Sequence, residues 1–294
     1  MYVMSKNGRG FVTFAQNTDS VNYLELAYLQ ALNIKTIHPF EKYAVIVDNA
    51  TNQKINDKHN KVFDYVIQLP YDENNEFSTW KLANEYQVFD LTPFKETIKV
   101  ECDLLFTRTI SHWWNAFRLR DLVLNTGCKN YRQESATSRT YRKFFDDNEL
   151  PDIYNGLMYF RFSQVASEFF LTAKRILRNW EYLKVNVSKN CREENPSTDV
   201  LYALTAKTLG IEKCTIPTMN FLNFVHMKPA INNWGDTSMS WQDMVLCETD
   251  DNMIRINNLN QYNPVHYHEK SYATEELINY YERAYYNSLS QYTA

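Results

Sequence analysis

Residues 98–106 read IKVECDLLF, an apolar strand that ends in two carboxylates, Glu101 and Asp103, one residue apart. Alternate side chains of a strand share one face, so the pattern predicts that both carboxylates point the same way at the strand end. Ligands of open α/β sheets bind at such ends, where paired carboxylates can hold a hard divalent cation against a diphosphate. An exposed acidic pair that merely follows a strand is the simpler interpretation, and both stay open at this point.

The strands and helices around this stretch alternate. Short apolar runs at 11–15, 43–47 and 62–69 predict strands, and polar or amphipathic segments at 21–33, 52–60 and 80–89 predict helices. Strands separated by crossover-sized helical segments indicate a parallel sheet covered on both faces. We therefore expect an α/β fold with a mostly parallel central sheet flanked by helices.

Composition excludes several classes of protein. The 294 residues, 44% hydrophobic and 15% aromatic, are ample for a packed core, so disorder is not the main state. No apolar run reaches the roughly 18 residues that span a bilayer, and no signal-peptide pattern opens the chain, which predicts an intracellular protein without a membrane segment. Five cysteines form no CxxC pair, and their odd number favours reduced thiols. The net charge of −4 argues against bulk coating of nucleic acid but allows a local basic groove.

Nucleotide-binding signatures rich in glycine are missing from the sequence. It has neither GxGxxG nor GxxxxGK[ST], and only six glycines in all. The turn at 15–19 could still offer backbone N–H groups at a helix N-terminus, and Asp48, after the second strand, could accept hydrogen bonds from a base or ribose. Ordinary helix caps and turns would explain the same residues.

Three further segments contain candidate functional residues. Asn155 and Gly156 enter an apolar strand, where Asn-Gly indicates a tight bend, and Asp199 belongs to the capping cluster before a helix. His226 and Lys228 are separated by one residue in FVHMKP. An imidazole together with an ammonium group suits a metal-bound diphosphate. A turn, a cap and a structural histidine are the alternatives.

Taken in order, these segments resemble the GT-A-fold glycosyltransferases, most of all the glycogenin and galactosyltransferase group. The sequence is closer still to glycosyltransferases of T-even-type bacteriophages over most of its length, in the stretches VTFAQNT, STWKLANEY, ATSRTYRKFFDDN, YNGLMYF, STDVLYAL and FVHMKP. The resemblance implies transfer of glucose or arabinose from a UDP-sugar to hydroxymethylated cytosine in phage DNA. It also implies a Mn²⁺ or Mg²⁺ cofactor and a place in the host cytoplasm.

The resemblance also implies roles for individual residues. Asp103 would bind the metal directly, with His226 as a further ligand and Lys228 neutralising the diphosphate. Glu101 replaces the family's usual first aspartate, and its extra methylene, roughly 1.5 Å, leaves open direct, water-mediated or ribose contact. The nucleoside pocket and donor-sugar contacts would comprise Phe14, Ala15, Asn17, Thr18, Asp48 and Lys81.

Asn155, Gly156 and Asp199 would border the donor sugar and the reaction centre, again by resemblance. If the reaction inverts the anomeric carbon, a base must stand near the acceptor hydroxyl, and Asp199 is the candidate by motif. The sequence does not decide between inversion and retention.

Two basic clusters could contact DNA phosphates, and both could equally be solvated surface. One combines basic residues with Tyr131 and Tyr141, a pattern that suits an extruded base; its basic residues are Arg132, Arg139, Arg142 and Lys143. The other comprises Lys174, Arg175 and Arg178. Alternatives to a DNA-modifying enzyme are the same chemistry on a protein, lipid or polysaccharide, and a silent sugar-nucleotide or DNA-binding module.

The domain organisation follows from the same resemblance. Residues 1–235 would form the catalytic domain, with a nucleotide-sugar half at 1–125 and an acceptor half at 126–235. Residues 236–294 would be an extension whose amphipathic, tyrosine-rich helix, from about Thr274 to Leu289, packs on the catalytic domain.

Overall fold

A six-stranded sheet forms the centre of the molecule in the computed structural model, which describes residues 6–72, 80–136, 142–212, 223–232 and 241–293. Its strands are β1 (Arg9–Ala15), β2 (Lys42–Val47), β3 (Tyr65–Gln68), β4 (Glu96–Val100), β6 (Leu122–Thr126) and β7 (Ile153–Arg161). The strand order is β3-β2-β1-β4-β7-β6. Strands β3, β2, β1 and β4 are parallel, whereas β7 runs antiparallel to both β4 and β6. The predicted α/β fold with a mostly parallel sheet is confirmed.

Helices cover both faces of this sheet, because the central strands are apolar on both sides. Residues 43–47 of β2 are fully buried, as expected for a strand between two layers. One core cluster includes Phe11 and the helix α1 (Tyr23–Ile37), and the other includes Val12 and α7 (Gln164–Arg178). Further helices among the described residues are α2 (Asn49–Asn52), α3 (Asp57–Asn60), α4 (Val88–Leu91), α5 (Trp113–Phe117), α6 (Lys143–Asp147), α8 (Trp180–Asn186) and α9 (Thr198–Leu209).

Two predicted helices differ from the structure. The segment at 52–60 is not one helix, because Asn56 caps a new one: its side chain accepts a hydrogen bond from the Lys58 N–H and its own N–H donates to His59. The segment at 80–89 begins as a 3₁₀-helix, Lys81–Gln87, and only then becomes α4.

The acidic pair does not lie in a strand, contrary to the sequence interpretation. Strand β4 ends at Val100, and residues 101–103 form a turn in which the Leu104 N–H donates to the Glu101 carbonyl over 3.1 Å. The chain then enters the short strand β5 (Leu104–Leu105), which pairs antiparallel with β12 (Val265–His266). Strand β12 also pairs in parallel with β8 (Val225–His226). Pairing in this small sheet places two distant histidines, His226 and His266, beside the acidic turn.

The C-terminal residues pack against the rest of the chain. After α10 (Pro229–Asn232), the strands β9 (Cys247–Asp250), β10 (Met253–Ile256) and β11 (Leu259–Asn260) form a separate antiparallel sheet. The final helix α11 (Glu275–Thr293) packs on α1, where the Tyr28 hydroxyl donates to Glu282 over 2.8 Å. The boundary at 235 stays a prediction, but β12, beyond it, lies at the centre of the site described below.

No helix among the described residues is both long and apolar enough to cross a membrane.

Candidate functional site

Three side chains from two distant segments converge at the carboxyl end of β4. Atoms of Glu101, Asp103 and His266 that could bind a metal lie within 4.8 Å of one another. Among the described residues, these three form the one group of acidic, histidine or cysteine side chains placed closely enough to hold a metal ion. The His266 Nε2 lies 3.2 Å from a Glu101 oxygen and 3.0 Å from an Asp103 oxygen. Lys270 donates a short hydrogen bond to the same Asp103 oxygen. The turn supplies the carboxylates, and the β5–β12 pairing supplies the imidazole.

Acidic and basic side chains shift one another's pKa values within this cluster. Burial alone would raise the pKa of Asp103, but His266 and Lys270 hold it well below its usual range. Burial raises the pKa of Glu101. Burial would lower the pKa of His266, yet the two carboxylates raise it above its ordinary value. Asp103 is therefore ionised, with the Lys270 ammonium group and the His266 ring against it.

The donor set fits a divalent cation. Two carboxylates and one imidazole suit Mn²⁺ or Mg²⁺, which favour oxygen ligands, and the Lys270 ammonium group against Asp103 shows that the turn attracts a cation. The buried Nδ1 of His266 has no hydrogen-bond partner among the described residues. The imidazole is therefore held by packing, with its Nε2 directed at the carboxylates.

His226, the histidine expected from the sequence as a metal ligand, stacks on His266 instead of joining this group. The two ring centroids are 4.4 Å apart and the planes differ by 18°. Burial and the neighbouring His266 hold the pKa of His226 well below its ordinary value, so the ring is neutral. Burial likewise lowers the pKa of His268 to about 3. The sequence interpretation missed His266 and Lys270, although His-x-His followed by lysine at 266–270 carries the signal.

A cavity of about 410 Å³ adjoins the acidic turn. Five of the residues expected to contact nucleotide, sugar or metal line it: Phe14, Thr18, Lys81, Glu101 and Asp103. It is also lined by Glu85, Lys99, His268 and Lys270, which the sequence interpretation had not singled out. A space of this size is typical of small-molecule sites.

Three other residues expected to contact the nucleotide do not line the cavity. Asp48 caps α2 by accepting the Thr51 N–H at 2.8 Å and pairs with Lys81 at 2.9 Å. Asn17 bonds through its backbone to Thr51 and through its side chain to the Leu24 N–H. Ala15, at the end of β1, is buried. These residues fix the shape of the first turn and the position of the Lys81 ammonium group.

The partly buried Asp199 and the buried Arg142 form an ion pair next to β7. One Asp199 oxygen accepts the Asn155 N–H at 2.7 Å and the other accepts Arg142 at 2.9 Å. Arg142 also bonds Asp152 and the Ile153 carbonyl, and its side chain is only 2% exposed. The expectation that Arg142 contacts DNA phosphates is therefore wrong, because its guanidinium group is enclosed by protein. The expected role of Asp199 as a base is not supported either, since both of its oxygens already hold donors.

The remaining basic residues have different surroundings. Arg132 and Lys143 are exposed, whereas Arg139 and Tyr141 lie outside the described residues. In the second cluster, Arg175 and Arg178 are exposed and Lys174 lies over the Tyr86 ring. Lys228, after β8, is partly buried and does not line the cavity.

Gly156 lies where backbone and side chain meet closely. Its carbonyl accepts the Glu101 N–H at 3.0 Å, and a Cβ added to it would lie 2.8 Å from the Phe224 ring. We expect Gly156→Ala to reduce the free energy of unfolding by about 1–3 kcal/mol, because the ring must shift in a packed site. Urea denaturation measures this loss. Adding Phe224→Leu should recover part of it, and an alanine variant as stable as the wild type would contradict the packing argument.

Comparison with known proteins identifies the fold. No family model and no curated protein sequence matches this chain. Among solved structures, the galactosyltransferase LgtC in complex with donor and acceptor sugar analogues matches with a TM-score of 0.52 and 10% identity over 95% of each chain. An active-site mutant of LgtC matches with a TM-score of 0.54 and 11% identity over 94% of each chain. The chain thus has the fold of GT-A glycosyltransferases, which confirms the fold implied by the sequence resemblance.

Proposed function

We propose that the protein is a metal-dependent glycosyltransferase that uses a nucleotide-sugar donor. The observation that carries this proposal is the convergence of Glu101, Asp103 and His266 beside the cavity, at the carboxyl end of β4 in a GT-A fold. Open α/β sheets bind their ligands at this edge. The lysines 81 and 270 add positive charge on the cavity wall, which suits a diphosphate.

The chain's own residues divide the work in this proposal. Asp103, Glu101 and His266 would hold Mn²⁺ or Mg²⁺, and His226 would position the His266 ring by stacking. The bound ion would act as a Lewis acid that stabilises the diphosphate leaving group. Lys81 would bind the donor phosphate or sugar, and Lys228 would approach the leaving group. Phe14 and Thr18 would contact the nucleoside, with Ala15, Asn17 and Asp48 supporting them from behind.

Asn155, Gly156 and Asp199 retain a supporting role in the proposal. Asn155 and Asp199 are joined by a hydrogen bond, and Gly156 is bonded to Glu101. These contacts connect β7 to the acidic turn. They would keep the donor-sugar end of the cavity in place.

For the donor and acceptor we propose a UDP-sugar and hydroxymethylated cytosine in phage DNA, within the host cytoplasm. The support is the sequence resemblance to T-even-type phage enzymes, together with the exposed cations Arg132 and Lys143. Salt-sensitive retention on DNA is expected of such contacts, because binding to phosphates releases counterions.

The test is incubation of the protein and Mn²⁺ with UDP-glucose, UDP-galactose or UDP-arabinose, with and without hydroxymethylcytosine DNA. We expect UDP release that stops on chelation of the metal, and a hexose or pentose increment on the digested modified nucleoside. DNA with unmodified cytosine is the control and should gain no sugar. UDP release without any change in the DNA would contradict the proposed acceptor. A protein that neither releases nor binds UDP would contradict the proposed enzyme activity.

A further inference from the structure

A buried polar network forms part of the cavity wall next to the acidic turn. The Lys99 ammonium group donates to the Glu85 Oε2 at 2.6 Å, and the Asn155 side-chain amide donates to the same oxygen at 2.8 Å. The side chains of Lys99 and Glu85 are 1% and 6% exposed. Strand β4, the 3₁₀-helix and β7 thus meet at one carboxylate oxygen.

The second oxygen of Glu85 has no donor among the residues that the structure describes. Its Oε1 accepts no hydrogen bond from them, and both Glu85 and Lys99 line the cavity. Unlike the enclosed polar atoms that lack a partner, Oε1 is open to the cavity, where a ligand or water can donate a hydrogen bond to it. The two donors on Oε2 fix the orientation of the carboxylate, so Oε1 is an acceptor of fixed position.

The chemistry of this acceptor restricts its ligand. A carboxylate oxygen accepts hydrogen bonds and repels phosphate, so the part of the ligand that meets it must be a hydrogen-bond donor and not the diphosphate. Lys99 precedes Glu101 by two residues in the chain, which places the network beside the acidic turn. Within the proposed function, the donor sugar is the part of the substrate that carries hydroxyl groups at this position.

We propose that Glu85 is a specificity-determining residue that accepts a hydrogen bond from one hydroxyl of the donor sugar, with Lys99 and Asn155 as its positioning residues. This inference rests on the proposed function. It predicts discrimination between sugars, because a site built to bond a hydroxyl strongly rejects an analogue that lacks it.

The experiment compares kcat/KM for UDP release from UDP-glucose, or from UDP-arabinose if the wild type prefers it, with the values for the monodeoxy forms of that donor. For the wild type, we expect kcat/KM for one monodeoxy donor to be at least about 100-fold lower than for the parent donor. In Glu85→Gln this ratio should fall by about tenfold or more, through poorer use of the parent donor, while the affinity for UDP stays the same.

Two further variants separate specificity from stability. Glu85→Gln leaves the buried Lys99 without its counter-charge, so Glu85→Gln with Lys99→Met removes both charges and should show the same loss of discrimination in a folded protein. Glu41→Gln is the matched control, since Glu41 is a buried carboxylate paired with Arg9 and does not line the cavity. It should leave the ratio unchanged.

Three results would overturn the inference. An equal ratio of kcat/KM between parent and monodeoxy donors in the wild type and both Glu85 variants would show that Glu85 does not bind a hydroxyl group of the donor sugar. A matching loss of UDP affinity would assign Glu85 to the nucleoside instead. A wild type that binds UDP but releases none from any sugar donor would remove the proposed function, and the inference with it.

Discussion

Asp103→Asn should abolish metal-dependent turnover. Asp103 is buried, ionised and contacted by both His266 and Lys270, so it is the main negative charge that a cation would meet. Loss of a metal ligand removes several kcal/mol of transition-state stabilisation, and we expect UDP release to fall by about 10³-fold or more. Mn²⁺ affinity, measured by calorimetry, should fall by more than about 100-fold, which exceeds the usual effect of an outer-shell change.

The controls for this variant address both fold and charge. Asparagine leaves Lys270 and His266 without a counter-charge, so circular dichroism must show that the variant is folded at the assay temperature. Asp121→Asn removes a partly exposed aspartate that pairs with Arg161 and does not line the cavity, and it should retain full Mn²⁺ affinity. If Asp103→Asn bound Mn²⁺ as tightly as the wild type, the metal site would have to lie elsewhere.

Arg142→Met should strongly reduce the free energy of unfolding. The guanidinium group bonds Asp152, Asp199 and the Ile153 carbonyl and lies between the Phe145 and Tyr154 rings. Removing one partner of a buried ion pair leaves the other without its counter-charge, at a cost of about 3–5 kcal/mol. The two carboxylates are partly solvated, so we expect a loss near the lower end of that range, measured by urea unfolding.

Arg132→Met is the matched control, because Arg132 belongs to the same sequence cluster but is exposed. Its free energy of unfolding should change by less than about 0.5 kcal/mol. If DNA is the acceptor, Arg132→Met should instead weaken retention on DNA at low salt. Equal stability of the two variants would show that the buried arginine network contributes little to folding.

Local pattern was sufficient to predict much of this fold. The apolar runs at 11–15 and 43–47 predicted β1 and β2, since strands covered on both faces must be apolar on both. The Ser-Thr-Asp cluster predicted the start of α9, where Ser197 accepts the Val200 N–H. The acid-x-acid spacing placed Glu101 and Asp103 beside the cavity, although through a turn and not through strand alternation.

Two predictions depended on a choice between similar side chains. Arg142 and Arg132 look alike in the sequence, and only the folded chain encloses one of them between two carboxylates. His226 was chosen over His266 because it lies in a stretch that resembles a family motif. Only the register of β12 against β5 and β8 shows which imidazole faces the carboxylates.

Most strands of the sheet and the position of the acidic pair in the chain could be read from the sequence alone, because these depend on side-chain periodicity and residue type over a few neighbouring residues. The contacts of the acidic pair came from the folded chain. His266, Lys270 and Glu85 reach the cavity from segments far apart in the chain. Long-range pairing and burial set these contacts and the protonation of Asp103, and no local pattern encodes them.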